Sequence, residues 1–157
     1  MRGPAIVALI ASALFATSLL LPTVDVLFLK KASSVDGWMV VYIAFAAGFE
    51  AFADIARGVA ASDGQEGFYL ASFAAAFNLL FLILPVLLFR RTLARRGLGV
   101  AAGLCCVGLA AGVATPARMG NLIAGVEVGF YVWLGAYGVL LCALALAWIQ
   151  ARAGNNQ

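Results

Sequence analysis

Residues 68–96 read FYLASFAAAFNLLFLILPVLLFRRTLARR. From Phe68 to Phe89 the only strongly polar side chain is Asn78, and the run passes directly into Arg90, Arg91, Arg95 and Arg96. At 1.5 Å per residue, about 20 apolar residues cross the roughly 30 Å hydrocarbon layer of a bilayer. Basic residues in a short loop beside such a helix are retained on the cytoplasmic side. Together the two signals predict a polytopic, all-α transmembrane bundle whose four-arginine loop faces the cytoplasm. Pro85 is expected to kink this helix near its end, because proline removes a backbone donor.

The rest of the composition agrees. Hydrophobic residues make up 65% of the 157 positions and charged residues 11%, against about 45–50% and about 25% in soluble domains. A small soluble fold is mostly surface and cannot absorb that excess. A single membrane domain over 1–157 is expected, with no separate soluble part. The formal charge of +3 does not point to nucleic acid, because four of the ten basic residues lie in one short turn and act as a topology signal.

Outward from this stretch, a first span covers about 5–21 and ends near Pro22. A cleaved signal peptide is the alternative, but no small-x-small site follows the apolar run, so an uncleaved helix is expected. Residues 25–36, with Lys30, Lys31, Ser33 and Ser34, read as a connecting loop. A second apolar run starts at Trp38 and meets Glu50, Asp54 and Arg57 after Phe49. Runs of about 10–14 residues are usually interfacial or re-entrant, so 38–58 is taken as an outer segment. A polar loop follows at 62–67. Beyond the arginines, a span over 98–114 is ended by Thr115-Pro116. A loop through Arg118, Gly120 and Asn121 leads to a last span over 125–149.

Four spans place both termini in the cytoplasm, and all seven acidic residues (Asp25, Asp36, Glu50, Asp54, Asp63, Glu66, Glu127) outside. Five spans are the alternative. They require 38–58 to cross, which would bring Lys30 and Lys31 inside and the N-terminus out.

Few residues offer chemistry. Glu50 and Asp54, four apart, share one helix face with Arg57 near it. They form either a cation or proton site or the polar end of an interfacial helix. Glu127 falls in the first turn of the last helix, where a carboxylate favours the helix dipole; an ionisable residue at membrane depth is otherwise a functional candidate. Asn78 is expected to hydrogen-bond a neighbouring helix. Gly99 with Gly103, Gly108 with Gly112, and Gly125 with Gly129 are small-xxx-small pairs that allow close helix approach. They suit packing within one chain, with self-association as the alternative. Trp38, Tyr42, Tyr69, Tyr131 and Trp133 read as an outer aromatic belt, and Trp148 marks the inner end of the last helix.

Histidine is absent, which removes His-ligated haem, most zinc sites and a Ser-His-Asp triad. No phosphate-binding glycine loop occurs. Cys105, Cys106 and Cys142 lie inside apolar runs without CxxC spacing and read as small hydrophobes. No catalytic residue, metal or cofactor is expected.

Leu21-Pro22-Thr23 followed by Gly37-Trp38 is similar to the outer loop of small uncharacterised bacterial four-helix inner-membrane proteins. Asn78-Leu79-Leu80 fits a helix they share. Gly129-Phe130-Tyr131-Val132-Trp133-Leu134-Gly135-Ala136-Tyr137 resembles their last helix. The resemblance implies four spans with a Trp-bearing outer segment and no activity; Glu127 lies outside its pattern. The resulting expectation is a non-catalytic accessory or structural component of the cell envelope in the bacterial inner membrane. Its partners would be the lipid bilayer and a larger membrane complex or further copies of itself. A small oligomeric channel or transporter using the outer acids is the alternative.

Overall fold

The computed structural model describes residues 3–28, 31–58, 66–119 and 122–153. In chain order these form α1 (Gly3–Leu19), β1 (Pro22–Phe28), β2 (Lys31–Asp36), α2 (Gly37–Ala56), α3 (Glu66–Phe77), α4 (Leu80–Arg90), α5 (Arg95–Arg118), β3 (Ile123–Val126) and α6 (Val128–Ala153). The molecule is mainly helical, as the composition requires, but it is not all-α.

Three stretches are long and apolar enough to cross a membrane: Tyr69–Arg90, Arg95–Arg118 and Val128–Ala153, with 22, 24 and 26 residues. The apolar helices Gly3–Leu19 and Gly37–Glu50 are shorter. α1 nevertheless belongs to the bundle, lying along α6 and α4. Its buried face carries Ala5, Ala8 and Ala11 before Phe15 and Ser18. Small side chains at these spacings let the partner helices approach closely. Phe15 then stacks on Phe81 with ring centroids 4.6 Å apart, and Tyr137 meets Phe81 edge-on at 4.8 Å. Leu84, Leu140 and Leu144 complete this fully buried core.

The span 68–89 continues as helix through Pro85. It breaks at Asn78-Leu79, between α3 and α4. There the backbone tightens to three-residue bonds, Phe81 N–H to the Asn78 carbonyl at 3.1 Å and Leu82 N–H to the Leu79 carbonyl at 3.0 Å. At Pro85 the helix continues. Pro85 has no N–H for the Phe81 carbonyl one turn back, and the Ser12 hydroxyl of α1 donates to that oxygen instead.

The arginine turn is shorter than the sequence suggested. Arg90 ends α4, while Arg95 and Arg96 open α5, leaving 91–94 as the turn. Arg91 adopts the left-handed conformation (φ 53°), and the N–H groups of Arg91 and Thr92 close on the Leu88 and Leu87 carbonyls. This satisfies carbonyls that a helix end leaves open. The Arg95 guanidinium lies 4.8 Å from the Trp148 ring centroid, an attractive cation–π arrangement.

α5 also outruns its expected end. It passes through Thr115 and Pro116 to Arg118. The Thr115 hydroxyl donates to the Ala111 carbonyl at 2.9 Å; Pro116 has no N–H for the Gly112 carbonyl one turn back, and the helix still runs on to Arg118.

The largest correction concerns residues 25–36, read as a loop, and 125–126, read as helix. They form an antiparallel sheet in the order β2-β1-β3. Val26 lies opposite Ser33 and Ile123, and Asp25 opposite Ser34 and Gly125. β1 follows α1 directly, β2 leads into α2, and β3 leads into α6, so the sheet lies over one end of the bundle. Thr23, Val24 and Val26 are β-branched residues with strand preference. α2 packs on α3, β1 and β2; it runs past Glu50 to Ala56, close to the expected bounds of the outer segment. Gly48 lies against Ser72, whose hydroxyl donates to the Ala44 carbonyl at 2.7 Å. Lys30, the 62–65 part of the polar loop, Gly120, Asn121 and the tail after Ala153 lie outside the described residues.

Candidate functional site

Asn78 interrupts the Tyr69–Arg90 span where α3 meets α4, and it is 7% exposed. Its side-chain oxygen Oδ1 accepts a hydrogen bond from Trp133 Nε1 at 2.9 Å and one from the Tyr137 hydroxyl at 3.3 Å. Trp133 and Tyr137 stand one turn apart on α6, so both reach the same oxygen. The indole N–H can only donate, which fixes the orientation of the amide: oxygen towards Trp133, nitrogen away. The expectation that Asn78 bonds a neighbouring helix holds, and α6 is that helix.

Trp133 therefore does not belong to the aromatic belt. It is partly buried, stacks on Phe130 at 5.8 Å and meets Tyr137 at 4.9 Å. Trp38, Tyr42 and Tyr131 are exposed, as residues facing lipid or its interface would be.

Beside Asn78, beneath the sheet, lies a cavity of about 550 Å³. β1 contributes Val24 and Val26 to its roof, α2 contributes Val40, Val41 and Ala44 to one wall, and Trp133 and Phe130 of α6 form another. Among the described residues that line it none is charged. Its few hydroxyls are already engaged: Ser18 donates to the Phe15 carbonyl at 2.7 Å, Thr23 to Leu21 at 3.1 Å, and Thr115 to Ala111 at 2.9 Å. The cavity is partly open to its surroundings, and Ile43 and Leu122 of its lining are exposed.

The acidic candidates lie elsewhere. Glu127 is not in the first turn of the last helix; it is the link between β3 and α6, and its N–H donates to the Thr23 carbonyl at 2.9 Å. Its carbonyl in turn accepts the Phe130 N–H at 3.0 Å. Glu50 is exposed on α2, and the Asp54 side chain lies outside the described residues. Among the described residues no three His, Cys, Asp or Glu side chains converge as a metal site would.

The glycine pairs divide. A methyl group on Gly108 would come 2.6 Å from Phe77 Cβ and 2.9 Å from the Tyr137 hydroxyl. One on Gly112 would meet the Trp133 ring, and one on Gly129 the Pro22 carbonyl at 2.7 Å. These three hold the site's geometry. Gly99 has only ordinary space beside Trp148, Gly125 lies near Asp25, and Gly103 opens on nothing within 4 Å. Gly108 and Gly112 thus pack within the chain, between α3 and α6, as their spacing suggested. The sequence reading did not find Tyr137 or Thr23, although the spacing of Trp133 and Tyr137 on one face opposite a lone buried amide was a usable signal. Comparison with family models, with curated proteins and with solved structures finds no match to this chain.

Proposed function

We propose that this chain is a non-catalytic integral membrane protein of the bacterial inner membrane, an accessory or structural component of the cell envelope. The observation that carries this reading is the clustering of arginines at one end of the bundle. Arg90, Arg91, Arg95, Arg96 and Arg152 gather where α4, α5 and α6 meet that end, whereas the sheet end carries Asp25, Asp36 and Glu127 alongside the two basic residues Lys31 and Arg118. The positive-inside tendency then orients the arginine end, and both termini, towards the cytoplasm.

Four spans fit better than five. α2 packs on α3, the half of its span nearest the sheet, and on the strands themselves, without substantial packing on α4. That suits an outer segment. The core between α1, α4 and α6 is filled by Phe15, Phe81, Tyr137, Leu84 and Leu140, and a filled apolar core favours a structural role over a pore.

Flux measurements on proteoliposomes test the reading. Cation leak equal to that of empty vesicles is expected, with native membranes yielding the chain in a larger assembly on non-denaturing gels. Cation flux that Glu127→Gln abolishes would replace this reading with that of a channel.

A further inference from the structure

The amide nitrogen of Asn78 has two N–H donors, and the structure gives them no acceptor. Both hydrogen bonds of the side chain go to its oxygen. The orientation is not interchangeable, because Trp133 must face an acceptor. Among the described residues, no fully enclosed side-chain polar atom is left without a partner. The nitrogen must therefore border free space, and the free space lined by Asn78 is the cavity under the sheet.

A donor that borders apolar space has nothing there to bond, and native proteins rarely leave polar groups so placed without a use. Here a side chain that is 7% exposed spends its oxygen on α6 and presents its nitrogen to an otherwise apolar space. The Ser18, Thr23 and Thr115 hydroxyl hydrogens are all committed to backbone carbonyls. Asn78 is thus the one uncommitted side-chain donor among the described residues that line the cavity.

We infer that this cavity is a binding site for a neutral, membrane-soluble molecule carrying a carbonyl oxygen on an apolar body. Each element of that description follows from the walls. The volume of about 550 Å³ falls within the roughly 300–1,000 Å³ of small-molecule sites. Valine and alanine walls select an apolar body. Among the described residues that line the cavity none is charged, which disfavours a charged ligand, whose desolvation they would not offset. Two N–H donors on one nitrogen suit an acceptor oxygen, and the Asn78 to Trp133 bond holds that nitrogen in place. The cavity is partly open, which gives entry from the apolar surroundings. Two sources share this chemistry: the ring of a quinone and the ester of an acylglycerol. The inference does not depend on which face of the membrane the sheet occupies, nor on the role proposed for the whole chain.

The test uses the full chain in nanodiscs with Trp38→Phe and Trp148→Phe, leaving Trp133 as the fluorophore at the cavity wall. Decylubiquinone is titrated and the emission followed; monoolein is then added as competitor. Saturable quenching is expected, weakened about tenfold by Asn78→Leu, the loss of a single good polar anchor. Val41→Phe, which fills the space from α2 without touching Asn78, should weaken it as much, and it carries the test if Asn78→Leu does not fold. Displacement by monoolein assigns the site to acyl esters as well as quinones; no displacement assigns it to quinones. Saturable binding of monoolein alone, read as a shift in Trp133 emission lost in Val41→Phe, assigns it to acyl esters. Quenching that rises linearly and equally in all variants, with no monoolein shift, would show partition into lipid and overturn the inference. Saturable binding unchanged by Asn78→Leu in a folded protein would overturn it too.

Discussion

The hydroxyl of Ser12 on α1 donates a hydrogen bond to the carbonyl oxygen of Phe81 on α4, the carbonyl whose helical partner would be the missing N–H of Pro85. A proline inside an apolar helix leaves an acceptor without a donor, and in a bilayer no water stands ready to replace it. α1 supplies the donor. The same hydroxyl lies 3.1 Å from the Ala8 carbonyl of its own helix, so before the helices meet it has a local acceptor.

Ser12→Ala is expected to destabilise the bundle by about 1 kcal/mol, the usual scale for one interhelical hydrogen bond. In a Pro85→Ala background, where the Phe81 carbonyl regains a helical donor, the same change should cost clearly less. A double-mutant cycle from thermal unfolding in detergent measures the difference. Equal costs in both backgrounds would show that the two residues are not coupled.

Gly108→Leu and Gly112→Leu should each destabilise by about 1–3 kcal/mol or more, the range for overfilling a packed core. Gly103→Leu, which meets nothing within 4 Å, should leave the melting temperature near that of the parent. Melting temperatures of the three variants, measured side by side, decide whether the packing of α5 on α3 and α6 is as described. If Gly103→Leu were the damaging change, α5 would present the opposite face, towards another chain.

Trp133→Phe keeps most of the ring packing but removes the donor to Asn78 Oδ1. About 1 kcal/mol of stability should be lost. Asn78→Leu in the same background should then add less than it does alone, because the shared bond is already gone. Additive losses would mean that the Asn78 to Trp133 bond contributes nothing of its own.

Glu127→Gln and Glu50→Gln should each change stability by no more than about 0.5 kcal/mol, the ordinary range away from buried networks. Glu127 serves the fold through its backbone N–H on the Thr23 carbonyl, which glutamine preserves, and Glu50 is exposed. Chemical unfolding of both variants checks this. A large loss in either would reveal a buried partner for its carboxylate.

A cysteine at Ser34, exposed on β2, should react in intact cells with a membrane-impermeant maleimide after the native cysteines are changed to alanine. A cysteine at Thr92, exposed in the arginine turn, should react only after permeabilisation. The reverse pattern would invert the proposed orientation.

Sequence alone determined what depends on local composition. The run from Phe68 to Phe89 and the four arginines after it made a membrane bundle legible, because lipid demands about 20 consecutive apolar residues and forbids charge within them. The glycine spacing at Gly108 and Gly112 announced close packing, and the lone amide of Asn78 announced a partner. Only the tertiary structure decided most of the rest, because those features depend on residues far apart in the chain. Val24 and Val26 pair with Val35 and Ser33 of the neighbouring strand, and the sheet is completed by Val126 and Ile123, about a hundred positions later. Pro85 left the helix unbroken because Ser12 served the carbonyl it orphaned. Trp133 entered the interior, not the interface, because Asn78 offered an acceptor from another helix. A local pattern states what a side chain needs; which distant group meets that need is settled when the helices pack.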